Sequence, residues 1–111
     1  MRKPLTGQLY RDASGRNSYE IFDAEAQFIF SLADMLQDRF GFSDFTLPAF
    51  GLDQVYMECS KDNRRIILGW DNWSGCFVTT NEPENDAFVA EIGAYLDRAL
   101  QELSSSEKDQ Q

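Results

Sequence analysis

Two stretches of the chain repeat apolar residues at helical spacing, and the stretch between them alternates with the period of a strand. Over residues 23–40, Ile29, Leu32, Ala33, Leu36 and Phe40 recur at the intervals that form one face of a helix, with Asp34 and Asp38 on the other side. Asp23 stands where an N-cap is needed, and Glu25 falls in the first turn, where the helix dipole favours an anion. Gly41 follows as a stop, leaving Phe42 free to fold back onto Leu36. Residues 85–103 predict a second helix whose buried stripe is Val89, Ile92, Leu96, Ala99, Leu100 and Leu103. Pro83 marks its entry, Asn85 is its candidate cap, and Asp86 lies in its first turn.

Between the helices the period changes. In residues 54–60, Val55, Met57 and Cys59 face one way, while Gln54, Tyr56, Glu58 and Ser60 face the other. Residues 61–63 have turn chemistry. Residues 64–70 carry Ile66, Ile67 and Leu68 in a row, apolar on both faces, which suits a central strand; a second turn leads to a third strand at 76–80. The elements predict an α+β two-layer sandwich: a three-stranded antiparallel meander with both helices on one face. The other face, with Tyr56 and Glu58, is either solvated or used. Residues 42–52 show no period and are broken by Pro48 and Gly51, yet are too apolar for a solvated loop. They read as a cap on the core or as a flap beside a pocket. Residues 1–22 read either as an extra hairpin turning at Ser14-Gly15 or as an irregular arm. Residues 1–103 are expected to form one domain and 104–111 a polar, flexible tail.

Charge and missing residue types narrow the chemistry. Nineteen acids against ten bases give a net charge of −9. Such a surface repels nucleic acid and anionic lipid and attracts basic partners. No apolar run approaches the roughly 20 residues that span a bilayer, and no secretory signal opens the chain, so a cytoplasmic location is expected. The 111 residues contain no histidine, which removes Ser-His and Cys-His nucleophiles and the commonest metal ligand. The two cysteines, Cys59 and Cys76, cannot complete a zinc site of the usual kind, and lying on strands separated by a third they are expected to be unpaired. No metal, cofactor or catalytic residue is expected. A catalytic carboxylate pair is conceivable, but nothing selects one among nineteen acids.

Both tryptophans fall within residues 69–75, around a turn. Trp70 shares the face of Ile66 and Leu68 and is expected to plug the end of the core. Trp73 follows Asp71 and Asn72 at the apex, where its ring either folds back against the loop or stays half wet and meets a partner. Asp71 and Asn72 are placed to hold a donor group on that partner, Tyr56 and Glu58 extend the surface, and Glu82 and Glu84, with Asp86, are expected to form an acidic rim near the Trp side. The one basic cluster, at 61–65, lies at the opposite end of the sheet and reads as a solvated turn.

In size, charge and α-β-β-β-α order the chain resembles the small acidic immunity proteins that neutralise bacterial toxins. The resemblance implies a non-catalytic domain that captures a basic protein partner. Two other classes compete. A small acidic chaperone for a secreted protein has similar size and charge. A small-ligand domain or enzyme using carboxylates would need residues 42–52 to close over a deep pocket with converging polar groups. The oligomeric state is left open by the sequence.

Overall fold

The computed structural model describes residues 5–109. It is an α+β fold with six strands and two helices: β1 (Thr6–Arg11), β2 (Asn17–Phe22), α1 (Phe28–Phe40), β3 (Ala49–Phe50), β4 (Gln54–Lys61), β5 (Arg64–Asp71), β6 (Gly75–Thr79) and α2 (Asp86–Asp109). A 3-10 turn, Pro83–Asn85, leads into α2. The strands form one antiparallel sheet in the order β1-β2-β6-β5-β4-β3. The meander expected from the sequence is its β4-β5-β6 part. The N-terminal hairpin is real and adds two strands, because β2 pairs with β6, Ser18 opposite Thr79 and Ile21 opposite Cys76.

Both helices pack on one face and share a single core. Tyr19 and Ile21 of β2, Val55, Met57 and Cys59 of β4, Ile66 and Leu68 of β5, and Cys76 and Val78 of β6 meet Ile29, Leu32 and Leu36 of α1 and Val89, Ile92, Leu96 and Leu100 of α2. The period-2 and period-3.6 stripes are thus halves of one apolar layer, whose removal from water drives the fold. Gly41, at φ 76°, ends α1 in a conformation that suits glycine, and its N–H turns back to the Gln37 carbonyl while Lys61 Nζ donates to the Phe40 carbonyl at 2.6 Å. Phe42 is buried beyond it, in edge contact with Phe40 and Phe88.

Three local expectations change. α1 begins at Phe28, not at Asp23, which takes a left-handed φ of 63°. The next residues are tied to the sheet: Trp70 Nε1 donates to the Ala24 carbonyl at 3.0 Å, and the Glu25 carbonyl accepts both from Cys76 Sγ at 3.5 Å and from the Phe28 N–H at 3.0 Å, the turn that opens α1. Asn85 sits buried in the 3-10 turn instead of capping α2, and Asp86 fastens the helix start to β2 by accepting from the Asn17 N–H. α2 runs through to Asp109, past the end expected for it at 103, and residues 110 and 111 of the expected tail lie outside the described residues.

Cys59 and Cys76 are both free and buried, on β4 and β6 with β5 between them; burial pushes each thiol up to about 12, which suppresses its thiolate. Among the described residues no helix is long and apolar enough to cross a membrane, and no three acids or cysteines gather as a metal-binding group.

Candidate partner-binding surface

The turn between β5 and β6 holds its shape through the side chain of Asp71. One carboxylate oxygen accepts from the N–H groups of Trp73 at 2.9 Å and Ser74 at 2.6 Å. Asn72 Nδ2 donates to Asp53 Oδ1 at 3.0 Å, which ties this turn to the loop that enters β4. These contacts leave Trp73 82% exposed, whereas Trp70, on the covered side of β5, is half-buried and hydrogen-bonded. A large ring held in water by an ordered turn is available for contact without first being uncovered.

Residues 42–52 meet the Trp turn at one corner. This segment runs along the outer edge of β4: Ser43 and Ser60 exchange backbone hydrogen bonds, Thr46 N–H donates to the Glu58 carbonyl, Thr46 Oγ1 accepts from the Glu58 N–H, and β3 pairs with Tyr56 and Val55. Most of this edge is therefore capped, as an outer strand requires. Its apolar residues divide, with Phe42 buried but Leu47, Phe50 (73% exposed) and Leu52 in solvent. Phe50 and Leu52 precede Asp53, the residue bonded to Asn72, so the exposed apolar groups of both loops flank one hydrogen-bonded junction.

The uncovered face of the sheet begins at the same turn. The register sets Gln8, Glu20, Phe77, Gly69, Tyr56 and Ala49 in one row across all six strands. A Cβ at Gly69 would lie 2.3 Å from Phe77 Cζ, so only glycine lets that ring lie across β5. There it meets Tyr56 edge-on, centroids 6.2 Å apart, while the Tyr56 hydroxyl donates to Gln54 Oε1 at 2.6 Å. A second pair, Tyr10 and Phe22, packs at 5.8 Å on the β1-β2 side. Burial, then the charge of Asp71, pushes the Glu20 carboxyl above the ordinary carboxylate range, against the Ser18 and Ser74 hydroxyls, which favour its ionised form. Glu58 lies 4.0 Å from Arg65.

Of the residues singled out from the sequence, Trp73, Asn72 and Asp71 form the turn, and Tyr56 and Glu58 stand on the face that starts from it. Glu82 and Glu84 do not join them. The chain leaves β6 toward the β4-β5 hairpin, where Thr80 Oγ1 donates to the Arg65 carbonyl. Glu82 there lines a polar cleft of about 600 Å³ with Ser43, Asp44, Lys61, Asp62 and Arg65, at the far end from Trp73. The acidic rim expected near the Trp side is supplied instead by Asp53, Asp71 and Glu20. Phe77 and Glu20 went unrecognised in the sequence, although the alternation that oriented Tyr56, carried through both turns, puts Phe77 on its face. Comparison with protein-family models, with curated proteins and with solved structures finds no match for this chain.

Proposed function

We propose that this chain is a non-catalytic protein-binding domain that captures a basic protein partner through the corner formed by the Trp73 turn and residues 47–53. The observation that carries the reading is Trp73 itself, 82% exposed on a turn whose backbone is fixed by Asp71. Exposed tryptophan within an apolar patch is the composition of an interface hot spot, and Asp53 and Asp71 beside it match a partner of opposite charge. The net charge of −9 supports the same choice at long range. In its most specific form, following the likeness to immunity proteins, the partner is a toxin and the chain blocks it by occupancy.

The test is capture from native cell extract with the wild-type chain and with Trp73→Ala, followed by mass spectrometry. The reading expects a stoichiometric basic protein on the wild type, its affinity lowered by about 2 kcal/mol or more in the variant, and an association rate that falls steeply as salt is raised. Equal capture by both chains, or a partner that is not basic, would count against it.

A further inference from the structure

The uncovered sheet face is more selective than charge alone requires. Its rings are half-exposed and arranged: Phe77 lies over Gly69 against Tyr56, and Tyr10 packs on Phe22. Among the described residues its charged groups are three acids, Glu20, Glu58 and Asp71, and one base, Arg65, which stands by Glu58. Among the described residues neither Glu20 nor Asp71 has a cationic partner. Glu20 lies directly beside Phe77 in the register, and Asp71 lies two residues from Gly69 on the same face.

A planar cation satisfies both halves of this surface. A guanidinium stacks on an aromatic face and also presents a fork of donors to carboxylates, whereas an ammonium is a compact, strongly hydrated charge that stacks less well. We propose that this face receives an arginine-bearing segment of the basic partner, one guanidinium lying against Phe77 and Tyr56 and pairing with Glu20 and Asp71. The inference rests on the reading above that the partner is a basic protein, and it adds which side chain is recognised and where. A second copy of this chain is the wrong occupant, because it would bring the same carboxylates face to face, and anionic lipid or nucleic acid is repelled for the same reason. Burial and Asp71 already disfavour the ionised form of Glu20, so a cation placed there relieves a repulsion present in the free protein.

The probes are acetylated, amidated hexa-arginine and hexa-lysine, equal in charge, titrated into the ¹⁵N-labelled full chain. The arginine peptide should bind about threefold or more tightly than the lysine peptide, with shifts concentrated at Glu20, Gly69, Asp71 and Phe77. Glu20→Gln should weaken both peptides. Tyr56→Leu together with Phe77→Leu should bring the two affinities together. Tyr56→Leu alone, at a side chain already 41% exposed, tests the preference in a chain that keeps its fold and should reduce it. Equal binding of the two peptides by the wild type, or shifts spread over the helices, overturns the proposal. The Trp73→Ala chain separates this inference from the reading beneath it. Arginine preference lost while Trp73 still governs capture of the native partner removes the sheet-face site alone. Preference kept while capture ignores Trp73 removes the corner and leaves the sheet-face site standing.

Discussion

β5 belongs to two surfaces of opposite character. On the covered face Ile66 and Leu68 join the core shared with the two helices and Trp70 packs against it, and Tyr19, Val78, Leu68 and Met57 form a buried row that opens only at Leu9 on β1, 41% exposed. On the open face the same strand offers Ile67, Gly69 and Asp71, its neighbours contribute Phe77 and Tyr56, and Glu20 stands beyond Phe77 on β2. The covered face gains by excluding water and is mostly aliphatic. The open face keeps rings half in water, spaces them with a glycine, and sets carboxylates beside them. A face needed only for solubility is served by charged and small polar groups. Aromatic rings fixed in place there cost solubility, and that cost is the physical argument for contact.

Four substitutions sharpen or break this contrast, from the largest expected effect to the smallest. Trp70→Ala removes a core-side ring and its bond to Ala24, and should cost roughly 3 kcal/mol in a denaturant melt; a cost below about 1 kcal/mol would mean that the covered face does not depend on its edge. Tyr19→Phe should cost about 1 kcal/mol at neutral pH through loss of the hydroxyl's bond to Asp97. Its pH dependence is the sharper readout. Burial, and then the Asp97 carboxylate, hold the Tyr19 phenol far above its ordinary value of 10.0. The folded chain keeps a proton that the unfolded chain releases near pH 10, so this stabilisation is complete below that pH and is lost as pH rises beyond it. Melts through the alkaline range should therefore show a steeper decline for the wild type than for Tyr19→Phe, and parallel declines would deny Tyr19 this role. Gly69→Val, on the open face, forces the Phe77 ring aside. It should cost no more than about 1 kcal/mol, because the half-exposed ring can swing outward, but it should abolish the Phe77–Tyr56 contact in aromatic NMR spectra. Trp73→Ala should change stability by less than about 0.5 kcal/mol. If it unfolds the chain as badly as Trp70→Ala does, the corner is a packing device and the proposed function loses its anchor.

Much of the covered face was legible in the sequence. Val55, Met57 and Cys59 alternate and end up buried, and both helical stripes face the sheet as their spacing demands, except at Leu103, which lies 51% exposed beyond the part of α2 that the sheet covers. Trp70 lies at the core edge as its register predicts, and Trp73, which turn position left between burial on the loop and partner contact, stands in solvent. The failures share a cause, which is contact between residues distant in the chain. Asp23 has the chemistry of a cap, but its backbone is left-handed and Trp70 claims the Ala24 carbonyl that follows it, so the first helix-like turn bond is the one from Phe28 to Glu25. Residues 42–52 have no period because their backbone follows the edge of β4 over only a few pairs. The open face was half legible: Tyr56 and Glu58 were oriented by their own strand, but Glu20 reaches that face only through a hairpin whose neighbour lies more than fifty residues away.

The placement of β2 against β6 also orders events in time. The β1-β2 hairpin is synthesised before the strand edge that receives it, which is not complete until Thr79, and Tyr19 does not find its seat until α2 supplies Gly93, whose hydrogen leaves just enough room for the ring. Contacts that close across so much chain pay their loop entropy before any reward arrives, and they form slowly. The nascent hairpin must wait with Tyr19 and Ile21 uncovered, so the interval before the last helix emerges is when this chain is most open to misassembly.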